Sequence, residues 1–336
     1  MKRFLSVLFS LAMLFALLAG CGQGPAAGDE APASSEDKLS VVATIFPVYD
    51  WVRALAGDRA GQFDLTLLLD SGVDLHSYQP AADDLIKIAD CDLFLYVGGE
   101  SDAWVEEALA SSGNPDLIVV NLMVVMGDAV KEEEVVEGME AEEDDHEDGD
   151  AGAEDGEEEA EYDEHVWLSL KNAAVLCRAI GDALAELDSD GAEVYAANTA
   201  SYLEALSNLD NEYAAAVAGS DNKTLLFGDR FPFRYLTDDY GLTYYAAFVG
   251  CSAESEASFE TVAFLANKLD ELGLPAVLKI DGSDGKLAQT IIDNSQSKSA
   301  VILELDSLQS ATTADAGKTY LSAMEDNLYV LTEALG

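Results

Sequence analysis

Four side chains in this 336-residue sequence have the type and placing to hold a transition-metal ion: His76, His165, Asp229 and Asp281. The chain contains only three histidines, the third being His146, so each one is informative. Imidazole nitrogen suits zinc, and carboxylate oxygen brings manganese within range. A lone loop histidine is ordinarily solvated or hydrogen-bonded, and an aspartate at a strand end ordinarily caps a turn. What distinguishes these four is a shared position. His76 follows a strand-like run at 64–69, and His165 lies in the long connection after another at 117–121. Asp229 closes Leu225-Leu-Phe-Gly-Asp229, and Asp281 closes Val277-Leu-Lys-Ile-Asp281. In open α/β sheets, ligands bind along the carboxyl edge of the parallel strands.

Such an edge needs parallel sheets, and the hydrophobic pattern supplies them. Apolar runs at 39–44, 64–69, 93–97 and 117–121 alternate with helical segments at 49–56, 81–89 and 104–110. Strands that are apolar throughout are buried on both faces, as in a parallel sheet covered by helices. A second set follows, with strands at 224–227, 243–248, 276–280 and 300–305 and helices at 259–272, 286–293 and 320–335. Between the two sets, residues 170–187 place Ala173, Leu176, Cys177, Ile180, Leu184 and Leu187 on one stripe. Asp190 with Glu193 resembles a capping box. The helix it would open carries Tyr195, Tyr202, Leu206, Leu209, Tyr213 and Val217 at helical spacing. At 1.5 Å per residue a helix over 191–218 is about 42 Å long, enough to run the length of a two-lobed molecule. The expected fold is α/β, with two lobes, each a mostly parallel sheet flanked by helices, joined by one long rigid helix.

The N-terminus carries an address. Met1-Lys2-Arg3 precedes an apolar run at 4–18 and then Leu18-Ala19-Gly20-Cys21, a secretory signal ending in a bacterial lipobox with Cys21 as the lipidated residue. Nothing later reaches the ~18 apolar residues that span a bilayer. The reading is therefore a signal at 1–20, a flexible tether at 21–38, a first lobe at 39–190, a linking helix at 191–218 and a second lobe at 219–336. The mature chain is expected on the outer face of the cytoplasmic membrane, anchored by lipid and monomeric.

Net charge of −48 argues against nucleic acid and against anionic lipid as partners, and favours cations. Twenty of the 65 acidic residues fall between Glu132 and Glu164. Residues 131–164 accordingly read as a disordered acidic loop, with His146 as an accessory metal ligand. Three cysteines remain besides Cys21. Cys177 and Cys91 read as core, Cys251 as a residue near the site whose thiolate would favour zinc, and no disulfide is predicted. Trp51, Trp104 and Trp167 read as packing residues.

Several motifs resemble one family, the zinc/manganese solute-binding lipoproteins of bacterial ABC importers. They are Val73-Asp-Leu-His-Ser-Tyr-Gln-Pro80, Glu164-His-Val-Trp-Leu168, Phe227-Gly-Asp-Arg-Phe-Pro-Phe-Arg-Tyr-Leu236 with Asp239-Tyr-Gly-Leu242, and the ending from Gly317 to Leu328. The resemblance runs from about residue 39 to the end. It implies two α/β lobes joined by a long helix, a metal between them with His76 and His165 as ligands, and a membrane permease and ATPase as partners. At the third position, Asp229, many zinc members have histidine, and Asp281 is an acid in many members. The carboxylates lean toward manganese and the long charged loop toward zinc. Zn²⁺ is the expected ligand, with Mn²⁺ or iron as the alternative. From other classes come a metal-dependent hydrolase and an adhesin. No HExxH-type catalytic signature is present, so the chain is expected not to be an enzyme.

Overall fold

The computed structural model of the chain describes residues 38–140, 161–252 and 256–336. The signal run, Cys21, the tether as far as residue 37, and His146 lie outside the described residues. In chain order the first lobe runs β1 (Leu39–Ala43), α1 (Phe46–Ala56), β2 (Phe63–Leu67), α2 (Ala82–Asp90), β3 (Leu93–Tyr96), α3 (Val105–Ala110), β4 (Ile118–Asn121) and α4 (Leu122–Met126). Its strands form one sheet in the order β2-β1-β3-β4, parallel throughout. Val41 stands opposite Leu65 on one side and Leu93 on the other, so β1 lies inside the sheet beside β3. The sequence pattern did not show α4. The Asn121 side chain accepts the backbone N–H of Val124 at 2.9 Å, capping a turn that would otherwise prolong the strand.

Two helices follow the first four strands, α5 (Leu170–Leu187), which packs on α1 and α4, and the longer α6 (Ala192–Gly219), which joins the lobes. The expected α5 stripe is buried at Ala173, Leu176, Cys177, Ile180 and Leu184. The 28 residues of α6 give a rod of about 42 Å, packed against α1 and α5. Its expected capping box at Asp190 is absent. Residues Ser189–Gly191 form a 3-10 turn, and α6 begins after Gly191 without a side-chain cap. Asp188 instead receives Arg59 at 2.6 Å and the Tyr195 hydroxyl at 2.5 Å, tying the start of α6 to the first lobe.

The second lobe comprises β5 (Thr224–Leu226), β6 (Arg230–Phe231), α7 (Arg234–Tyr240), β7 (Thr243–Tyr245), β8 (Phe248–Val249), α8 (Phe259–Leu272), β9 (Ala276–Ile280), α9 (Lys286–Asn294), β10 (Val301–Leu305) and α10 (Tyr320–Leu335). β5 pairs with β7, β6 with β8, and β9 with β10, all parallel. Phe227 bridges to Leu278 and links the first pair to the last. The single strand expected at 243–248 is thus divided between two partners. The cause is a jog at Gly228, where a Cβ would lie 2.5 Å from the Ala288 backbone; only glycine lets the chain pass α9 this closely. Across the jog, Ala247 donates to the Asp229 carbonyl at 3.2 Å.

Tryptophan 167 fastens the lobes together. Its ring is fully buried, its indole N–H donates to Ser307 O at 2.9 Å, and its carbonyl accepts from the Tyr320 hydroxyl at 2.7 Å. Truncating a core tryptophan of this kind costs about 3–5 kcal/mol. Residues 38–336 accordingly form one compact unit.

Both ends of the acidic segment differ from the disorder expected at 131–164. Glu133 N donates to Glu161 O and Asp163 N to Lys131 O, each at 2.9 Å, so the two ends pair with each other. Glu140 pairs with β8, donating to Ala247 O at 2.9 Å. Backbone pairing and apolar anchors such as Met139 outweigh like-charge repulsion there. Residues 141–160 lie outside the described residues. Among the described residues, no helix is long and apolar enough to cross a membrane.

Candidate metal centre

The turn after β2 positions His76. Asp74 caps the 3-10 turn Leu75–Ser77 by accepting the His76 backbone N–H at 3.0 Å. The other carboxylate oxygen of Asp74 receives the Arg230 guanidinium at 2.7 Å. Burial works against an ionised Asp74, but Arg230 and then His76 hold its carboxyl below the usual range. Arg230 also donates to Ser252 O at 3.1 Å, which braces the segment beyond β8. His76 itself is nearly buried, with Nδ1 2.7 Å from Ser101 Oγ.

His165 is positioned from the other side by Asp163. One carboxylate oxygen accepts both the His165 backbone N–H at 2.8 Å and the ring Nδ1–H at 2.9 Å. This fixes the ring plane and leaves Nε2 directed at His76 Nε2, 3.1 Å away. Two glycines make room for the arrangement. A Cβ on Gly99 would lie 2.4 Å from Glu164 Oε1, and one on Gly250 would lie 3.1 Å from His165 Cε1.

The two imidazoles titrate in opposite directions. Burial and then the neighbouring His165 push His76 down to about 3. Burial alone would lower His165 as well, but Asp163, Glu164 and Asp74 outweigh it and raise that ring. At 3.1 Å the two facing Nε2 atoms share one N–H between them. A divalent cation placed there replaces that proton and keeps both outer hydrogen bonds. Nitrogens ligating one zinc at ~2.0–2.1 Å with tetrahedral angles are about 3.3 Å apart, close to what is observed.

Cys251 completes the cluster. Among the described residues, the ligand atoms of His76, His165 and Cys251 all lie within 4.8 Å of one another. A cavity of about 220 Å³ opens beside them, with Glu100, Glu133, Glu161 and Glu164 in its wall. Cys251 N donates to Glu133 Oε1 at 3.0 Å, which brings the acidic segment to the site. Burial, followed by Glu133, Asp163 and Glu164, pushes the Cys251 thiol far up.

Asp229 and Asp281 do not join this group. Asp229 Oδ1 accepts Arg230 N at 2.9 Å, and Oδ2 faces Ile280 N at 3.4 Å. Asp281 Oδ1 accepts Ser307 N at 2.7 Å and Ser307 Oγ at 2.6 Å, while Oδ2 accepts the Ser310 hydroxyl. Asp281 thereby shapes the loop in which Leu308 adopts φ +62 and buried Gln309 presents its amide 3.0 Å from His165 Nε2 and 3.1 Å from Asp74. Neither Arg230 nor Gln309 was apparent from the sequence. Arg230 follows Asp229 in the quoted motif, but nothing in the spacing pairs it with Asp74.

Fold and site together define a class: a two-lobed α/β protein with a rigid connecting helix and a buried imidazole pair facing an acidic cavity. The chain belongs to the family described as zinc-uptake complex component A, periplasmic, which matches residues 41–334. It is 32% identical over 333 residues to the zinc-binding lipoprotein AdcA of Streptococcus pneumoniae, across 99% of this chain and 61% of that protein. The chain thus spans less than two thirds of that relative's length. It is 30% identical to the high-affinity zinc uptake system protein ZnuA of Bacillus subtilis, across 98% of this chain and 97% of that one. Among solved structures, it resembles the Zn(II)-bound ZnuA-like domain of Streptococcus pneumoniae AdcA. That match has a TM-score of 0.67 and 28% identity, over 89% of this chain and 99% of that one.

Proposed function

We propose that this chain captures Zn²⁺ outside the cytoplasmic membrane and passes it to the permease and ATPase of an ABC importer. It acts as a monomer tethered by lipid at Cys21. The observation that carries this reading is the 3.1 Å approach of His76 Nε2 to His165 Nε2, each ring steadied through Nδ1 by a separate partner. Outer hydrogen bonds of this kind orient imidazole ligands and raise their basicity. Family membership supports a transport role over a hydrolytic one, and the names of the relatives support zinc.

In this proposal the acidic cavity attracts the cation, which displaces the proton of the imidazole pair as it binds. Because α6 packs against α1 on one side and α10 on the other, wide hinge motion is disfavoured. Release then follows from small shifts on docking that part the ligands or return a proton to them. Of the four ligands expected from the sequence, His76 and His165 keep that role here. Asp229 and Asp281 are given to backbone and loop.

Competitive titration of the metal-free protein with Zn²⁺ and Mn²⁺ tests the proposal. Zinc should bind at one equivalent and displace manganese, and His165→Ala should abolish tight binding. Unchanged zinc affinity in that variant would overturn the site, and preferential retention of Mn²⁺ would overturn the choice of metal.

A further inference from the structure

Cys251 differs from the other two described cysteines in ways that together point to one role. Cys91 and Cys177 are fully buried, whereas Cys251 is partly exposed and lines the acidic cavity. It belongs to the second lobe, just past the carboxyl end of β8, yet its Sγ lies within 4.8 Å of ligand nitrogens on two first-lobe segments. The approach is built into the neighbouring backbone. Gly250 omits the Cβ that would crowd His165, Arg230 holds Ser252 O on one side, and Glu133 holds the Cys251 N–H on the other. None of the three cysteines is in a disulfide.

We infer that Cys251 supplies a thiolate as the third ligand, so that the substrate is a thiophilic divalent ion, Zn²⁺ and equally Cd²⁺, with Mn²⁺ rejected. This rests on the reading of His76 and His165 as metal ligands. With Zn–S of about 2.3 Å and Zn–N of about 2.0–2.1 Å, tetrahedral sulfur and nitrogen stand roughly 3.6 Å apart. The cluster reaches that geometry by a small inward movement of one loop. As the S–metal bond forms, the S–H bond breaks and its hydrogen leaves as H⁺; nothing is oxidised or reduced. Thiolate ligation selects zinc over manganese, which prefers oxygen donors. Discrimination therefore comes from the second lobe, while the first supplies the imidazoles. This accounts for a zinc site without histidine at position 229.

The test loads the full-length, metal-free chain with Cd²⁺ alone and records ultraviolet absorption. A sulfur-to-cadmium charge-transfer band should rise to one equivalent and vanish in Cys251→Ser. Zinc affinity of that variant should fall by more than the roughly 10–100-fold typical of losing an outer-shell partner, with a smaller fall for Mn²⁺. Independently of any variant, Zn²⁺ should protect Cys251 from alkylation in the native chain, read peptide by peptide. One equivalent of Cd²⁺ without the band, or unprotected alkylation at saturating zinc, overturns the thiolate and leaves the histidine site standing. Failure of the native chain to bind either metal overturns the histidine site itself.

Discussion

His76 and His165 are 89 positions apart in the sequence and 3.1 Å apart at their Nε2 atoms. Nothing in either local segment holds that distance alone. Asp74 holds the His76 backbone and Ser101 its ring, Asp163 orients the other ring, and Arg230 from the second lobe pins Asp74. The pair is therefore held from both lobes.

Replacing Asp163 with Asn should lower zinc affinity about 10–100-fold while leaving the stoichiometry at one. Asp163 accepts two N–H groups of His165 through a single oxygen, so an amide in its place weakens both bonds. Competition against a chromophoric chelator reads the change. An affinity equal to wild type would show that the ring is held by packing alone.

Much of this was legible from residue order, because buried parallel strands print long apolar runs. The first-lobe strands, α5, α6 and α8 follow from hydrophobic period, while the two histidines were singled out by the motifs that carry the family resemblance. The second-lobe sheet was less legible, since the break at Gly228 depends on how closely Ala288 approaches. Asp229 and Asp281 carried the right chemistry in the right place, but carboxylates also satisfy backbone and hydroxyl donors, and spacing does not separate the two uses. Cys251 could be placed only near the site. Its distance to the rings depends on the β6–β8 pairing, which two-residue strands do not announce.

Excising residues 141–160 should leave zinc affinity unchanged within error. Their flanks are tied independently, Glu140 to β8 and Glu161 to Glu133. Removing 131–163 is a different experiment, because it also deletes Glu133 beside Cys251 and Asp163 beside His165. Equal loss of binding in both deletions would show that the central acidic stretch belongs to the site.

Asp281→Ala should destabilise the chain more than it weakens the metal site. Four donors from Ser307 and Ser310 lose a charged acceptor, and hydrogen bonds to charged groups are worth about 1.5–3 kcal/mol each. Part of that loss is offset at Asp306. Burial and then the Asp281 charge raise its carboxyl, so removing Asp281 relieves a repulsion. A net cost of several kcal/mol is expected in denaturant unfolding, with zinc still bound at one equivalent. Unaltered stability combined with lost zinc binding would restore Asp281 as a ligand.

Asp102 should make stability fall as pH rises through neutrality. The residue is buried, and its Oδ2 accepts Gly98 N–H at 2.9 Å while Oδ1 lacks a hydrogen-bond partner. Burial first, and the charge of Glu164 in addition, push the carboxyl up to about 7, although the Gly98 bond works the other way. In the unfolded chain the same group titrates near ~3.9. Between those values the folded state binds a proton that the unfolded state does not. Its contribution to stability is thus complete below about pH 4 and is lost as pH climbs through about 7. At ~1.36 kcal/mol per unit the ceiling is about 4 kcal/mol. Asp102→Asn keeps a neutral acceptor for Gly98 and removes the titration. The variant should therefore gain on wild type in unfolding free energy between pH 5 and pH 8, measured by urea denaturation of the metal-free protein at each pH. Parallel stability curves for the two proteins over that interval would mean that Asp102 stays ionised in the fold.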